Sequence, residues 1–233
     1  MTEELKQRLK KVQDRIEAAR SRGRGQNVGL IAVSKTHSVE KIQALYDLGV
    51  RDFGESYVQE WETKRDQLPG DIHWHFIGAL QSNKARFLVN QVELIHSLDR
   101  RSLLKAVQKR AEAPVKMLVQ VNLGGEKAKS GVELEELEKF LLQVEEYPRV
   151  AVAGVMGVVP YRENPEENRG HFRELYEKVE ALREKFLESR PDLAAGLKEL
   201  SMGMSDDFEV AIEEGATMIR LGTVLFGERN YNE

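Results

Sequence analysis

Short apolar segments alternate with amphipathic ones along almost the whole of this 233-residue chain. The repeat is roughly 25 residues, and it restricts the fold more than any other feature. Runs rich in Val, Ile, Leu and Phe read as strands at 30–33, 50–53, 72–77, 92–96, 115–121, 150–159, 199–201 and 217–221. Helical spacing fills the intervals, as with Ile42, Leu45 and Leu48, with Leu134, Leu137, Phe140, Leu141 and Val144, and with Phe172, Leu175, Val179, Leu182 and Phe186. Shorter helices are read at 56–67, 82–90, 101–111 and 207–214, with Ser38 and Gly49 bounding the one after the first strand. An additional helix, with Leu5, Leu9, Val12 and Ile16 on one face, occupies residues 1–22. Strands that alternate with helices pair in parallel. Eight such units fit an α/β fold of the (β/α)₈ (TIM) barrel type, with a doubly wound open sheet as the alternative. No stretch reads as a linker, so residues 1–233 are expected to form a single domain.

Composition narrows the partners. A net charge of −4 and the absence of a basic run argue against nucleic acid or an anionic membrane surface. No apolar run reaches membrane-spanning length, and residues 1–6 lack a signal-peptide core, so the expected location is cytoplasmic. With no cysteine, disulfides, thiolate metal sites and a cysteine nucleophile are all excluded.

In a barrel the carboxyl ends of all strands converge on one mouth. The residues expected there include Lys35, Gly54-Glu55-Ser56, Asn122, Met156, the turn Ser201-Met202-Gly203-Met204-Ser205, and Arg220 with Gly222-Thr223. Small-residue turns ahead of helices present backbone N–H groups to an anion, and serine and threonine hydroxyls add donors. Two such turns after the last two strands favour a phosphate, although serine and glycine also make ordinary loops. A partly desolvated lysine can condense with an aldehyde, although a lysine is more often simply solvated. Lys35 facing a phosphate cradle is what pyridoxal phosphate requires; a phosphosugar aldolase using Lys35 as its imine lysine is the competing reading. His73 and His75 share one face of a strand, but no carboxylate stands at ligand spacing, so no metal site is read there. Glu126, Lys127 and Lys129 read equally well as a solvated charge cluster.

Several blocks together resemble the pyridoxal phosphate homeostasis proteins. They are Val33-Ser34-Lys35, Phe53-Gly54-Glu55, His75-Phe76-Ile77-Gly78, Leu80-Gln81-Ser82-Asn83-Lys84, Val121-Asn122, Leu200 to Ser205 with Asp207, and Arg220-Leu221-Gly222 with Phe226-Gly227. The resemblance runs from about Gly29 to Arg229 in the family's order. It implies a (β/α)₈ barrel like the N-terminal domain of alanine racemase, and a pyridoxal 5′-phosphate-binding protein of vitamin B6 homeostasis and amino-acid balance. It further implies that Lys35 carries the cofactor as a Schiff base. Ser201, Ser205, Gly222 and Thr223 would hold the phosphate, Arg220 would face the ring nitrogen, and Asn122 and Met156 would lie near the ring. The implied partners are the cofactor and apo-enzymes that receive it, and the implied assembly is a monomer or weak dimer. Where the family usually reads Gly-Glu-Asn, this chain has Ser56, which puts a contact at that position in doubt.

The resemblance implies binding without established catalysis. Arg220 stays protonated and would discourage protonation of the ring nitrogen, which weakens an electron sink. The sequence ends shortly after the last strand, so no second domain is expected to bring an opposing acid/base group. A weak amino-acid racemase is the alternative.

Overall fold

A computed structural model describes residues 2–124 and 130–228; Glu126, Lys127 and Lys129 lie outside the described residues. Eight parallel strands close on themselves: β1 (Gly29–Val33), β2 (Asp52–Glu55), β3 (His73–Phe76), β4 (Leu94–Leu98), β5 (Val115–Asn122), β7 (Val150–Val158), β8 (Glu199–Ser201) and β9 (Met218–Leu221). The β4–β5 and β1–β9 pairings complete the ring, so the open-sheet alternative is excluded. A two-residue strand, β6 (Val132–Glu133), lies alongside the end of β5.

Around the barrel run α2 (Val39–Asp47), α3 (Val58–Arg65), α4 (Ala85–Leu88), α5 (Arg101–Arg110), α6 (Leu137–Val144), α7 (Arg169–Phe186), α8 (Pro191–Gly196), α9 (Phe208–Glu213) and α10 (Thr223–Phe226). The leading helix, α1 (Thr2–Arg22), buries Leu5, Leu9, Val12 and Ile16 and packs against α2, α9 and α10. The alternation expected from sequence is thus present, with differences of detail. Pro191 does not merely stop α7; it occupies the first turn of α8, where its missing N–H costs nothing. The helix read at 82–90 shrinks to Ala85–Leu88. Ser38 sits at the N-cap of α2 without a side-chain cap bond, while Gly49 follows that helix at φ +96°.

Most of the apolar core lies between the strands and the helices, where Phe53, Trp74, Phe76, Val119, Val121 and Ile219 point outward. The barrel interior holds a smaller apolar cluster, Leu94, Leu118 and Met156, and several polar groups. The apolar run at 150–159, long for a strand, is accommodated by a bulge. Met117 pairs with Val152 but Leu118 pairs with Gly154, so Ala153 is passed over. Gly154 adopts φ +148°, and a Cβ there would overlap the Glu199 backbone of β8. Gly154→Ala is therefore expected to cost about 2–4 kcal/mol of stability, measurable by urea denaturation.

Candidate functional site

Lys35 follows β1 in a segment fixed from both sides. Ser34 is fully buried; its N–H donates to the Gly54 carbonyl (3.0 Å) and its hydroxyl to Glu55 Oε1 (2.7 Å). The buried Lys64 ammonium donates to the Ser34 carbonyl (2.8 Å), to Glu55 Oε1 (2.8 Å) and to Glu60 Oε1 (2.6 Å). Glu60 in turn accepts from the Thr36 N–H. Thr36 is β-branched yet has φ +65°, a conformation that costs of order 1–3 kcal/mol and needs surrounding contacts to persist. One residue on, the His37 ring stacks on Phe226 at 4.4 Å. The lysine backbone is thus pinned by α3 and α10 as well as by the sheet.

At the carboxyl ends of the strands lies a cavity of about 320 Å³, lined by Lys35, Met156, Ser205, Arg220, Gly222 and Thr223 among others. The structure therefore brings together six of the eight residues expected at the site. The turns after β8 and β9 touch directly, the Gly222 N–H pointing at Ser205 Oγ at 3.4 Å. Gly203 makes this possible: it has φ +90°, and a Cβ would collide with Ala211 of α9. Its carbonyl accepts from the Arg220 N–H (3.1 Å), while Asp207 Oδ1 accepts from the Met204 N–H (2.8 Å).

Two of the expected residues, Ser201 and Asn122, lie off this wall. Ser201 is fully buried and does not line the cavity; its Oγ accepts from Arg220 Nη1 (2.8 Å) and lies 3.0 Å from His96 Nδ1. It ends β8 with its side chain inside the barrel, one layer below the turn. Asn122 is also buried off the cavity wall, with Oδ1 facing the Gly124 N–H (3.4 Å), and Gln120 two residues earlier lines the wall instead. Sequence reading overlooked Gln120 and Asp206 as wall residues, whereas Ser56 does reach the wall. Strand alternation carries the signal for Gln120, since β5 sends Val119 and Val121 outward.

Arg220 is the cation of the floor. Besides Ser201 it donates from Nη2 to the Gly157 carbonyl (3.2 Å). Burial pushes its pKa down to about 10 against the opposing pull of Asp207, so it stays charged at neutral pH. Burial raises the Glu55 carboxyl even though Lys64 and Ser34 favour its charged form. The folded protein then holds more protons than the unfolded chain between the ordinary and the raised value, and Glu55 lowers stability as pH rises through that window. Glu55→Gln should accordingly gain stability relative to the wild type as pH rises above the ordinary carboxylate range, read from denaturation midpoints. Lys64→Met strands a buried carboxylate and should cost about 3–5 kcal/mol, by the same measurement.

Comparison with known proteins agrees with this fold. The family model described as the alanine racemase N-terminal domain matches residues 7–230. The pyridoxal phosphate homeostasis protein of Aquifex aeolicus is 46% identical over 231 residues, covering 97% of this chain and 98% of that protein. PipY of Synechococcus elongatus, solved with PLP bound, superposes with a TM-score of 0.80 at 34% identity, covering 96% of this chain and all of that one. Alanine racemase from Corynebacterium glutamicum shares the fold, with a TM-score of 0.65 at 18% identity over 94% of this chain and 63% of its own. The chain belongs to the pyridoxal phosphate homeostasis proteins, within the alanine racemase N-terminal-domain family.

Proposed function

We propose that this protein binds pyridoxal 5′-phosphate at the Lys35 cavity and serves intracellular homeostasis of that cofactor, holding it and releasing it to apo-enzymes rather than catalysing a reaction. The observation that carries this reading is one cavity wall shared by a primary amine, two contacting small-residue turns and a buried guanidinium. The donor set fits the group, and the volume lies at the small end of ligand cavities. When bound, the cofactor supplies an aldehyde for a primary amine and an electron-withdrawing ring.

Lys35 presents that amine from a segment whose backbone is fixed by Glu60, Lys64 and the sheet. The Ser205 hydroxyl and the N–H groups of Gly222 and Thr223 provide neutral donors for a phosphate. Arg220, which can only donate, suits an unprotonated ring nitrogen and opposes its protonation. Met156 supplies an apolar wall. Ser201 is assigned to holding Arg220 instead of the phosphate, and Asn122 has no direct role in this reading. PipY, a relative whose structure was solved with PLP bound, supports the choice of cofactor.

What surrounds the amine supports the binding role. Racemisation needs acid/base groups on opposite faces of the substrate. Among the described wall residues Lys35 faces no histidine or tyrosine, and Arg220 weakens the electron sink such chemistry uses.

Adding pyridoxal phosphate to the protein should produce an absorption band distinct from the free cofactor, absent in Lys35→Ala. Ser205→Ala should weaken binding roughly 3- to 30-fold without abolishing the band. An unaltered cofactor spectrum on the wild type overturns the proposal. Alanine racemisation by the loaded protein should not exceed that of free cofactor at the same concentration; a rate well above it overturns the non-catalytic part.

A further inference from the structure

Ser201 and Arg220 are the last links of a hydrogen-bonded chain that crosses the barrel interior. At its far end Asp52, the first residue of β2, lines a second cavity of about 500 Å³ at the amino-terminal mouth. Asp52 Oδ1 lies 3.1 Å from His75 Nε2. His75 Nδ1 lies 3.0 Å from His96 Nε2, and His96 Nδ1 lies 3.0 Å from Ser201 Oγ. Arg220 Nη1 closes the chain on the same oxygen at 2.8 Å. His75, His96, Ser201 and Arg220 are all buried. No metal reading of His73-Trp74-His75 anticipated this, because the carboxylate that serves both histidines comes from the neighbouring strand, His73 Nδ1 lying 3.3 Å from the same Asp52 oxygen.

The two ends dictate the direction of every link. A guanidinium only donates, so Ser201 Oγ accepts from Arg220 and sends its own proton to His96 Nδ1. The His96 proton then sits on Nε2, where it points at His75 Nδ1. His75 must carry its proton on Nε2, and a carboxylate is there to accept it. Burial, with the Arg220 charge adding to it, keeps His96 neutral. Burial would raise the Asp52 carboxyl, but hydrogen bonding, led by that of His75, leaves it below its ordinary value, so it stays ionised. A cation at one end and an anion at the other polarise three neutral groups in the same sense.

We propose that Asp52, His75, His96 and Ser201 are positioning residues for Arg220, acting as one polarised chain that makes the Lys35 cavity sensitive to a carboxylate at the opposite mouth of the barrel. This rests on the reading of that cavity as a cofactor site.

The chain itself is tested without cofactor. In protein labelled with ¹⁵N-histidine, NMR should find both His75 and His96 protonated on Nε2 with Nδ1 bare; a proton on Nδ1 of either ring overturns the proposal. With pyridoxal phosphate bound, Asp52→Asn, a change at a half-exposed position, should speed cofactor dissociation roughly 3- to 10-fold and shift the absorption maximum. His73→Gln, which alters a neighbour of Asp52 outside the chain, should leave both unchanged. Asp52→Asn combined with His75→Gln should do no more than the larger single change, since both cut one chain. Wild-type spectrum and dissociation in Asp52→Asn overturn the proposal, and so do additive effects in the pair. Failure of the wild type to form its Lys35-dependent band overturns the cofactor reading instead, while the tautomer measurement still judges the chain.

Discussion

Closure of the parallel sheet is the constraint from which the rest follows. Once β4 pairs with β5 and β1 with β9, the eight-stranded ring is closed, and all eight strands deliver their carboxyl ends to one mouth. Lys35 and the Ser205 turn stand 170 residues apart in sequence yet share one wall because β1, β9 and β8 are consecutive neighbours in the ring. Nothing local to either segment brings them together.

The interior of this barrel departs from the usual filling of branched apolar side chains. His75, His96, Gln120, Asn122, Ser201 and Arg220 are all buried among the inward positions, and only a small apolar cluster accompanies them. Such groups are tolerable when each finds a partner of the right polarity. Apolar burial is supplied instead by the outer layer, where the helices cover Phe53, Trp74, Phe76 and Ile219. Stability and binding chemistry therefore occupy different faces of the same strands. A substitution in the outer layer acts mainly on folding, and one in the inner layer mainly on the site.

Features that depend on chain-local pattern were legible in the sequence. Runs of Val, Ile, Leu and Phe located the strands, and apolar steps of three and four located α1, α6 and α7. The turns at Ser205 and Gly222 were legible because small residues cluster directly after strands. What escaped depended on lateral neighbours. Ser201 and Ser205 look alike in a serine-glycine turn, and only strand alternation plus the presence of His96 across the barrel separates a buried partner of arginine from a wall residue. Asp52 and the two histidines lie on adjacent strands, so their meeting is a fact of register, recorded in the pairing of Asp52 with His73 and of Gly54 with His75. The clamp of Glu55, Glu60 and Lys64 around Lys35 has the same origin, since it joins three elements.

The passed-over Ala153 has a consequence for the chemistry of the mouth. Along β7 the residues paired with the inward positions of β5 are Ala151, then Gly154, Met156 and Val158. Uninterrupted alternation from Ala151 would have turned Val155 and Gly157 inward, exchanging the two faces of everything downstream of Ala153. That single extra residue works as a change of reading frame written into the backbone. It decides that a thioether and not a glycine looks into the cavity, and that Val155 is spent on the helical coat.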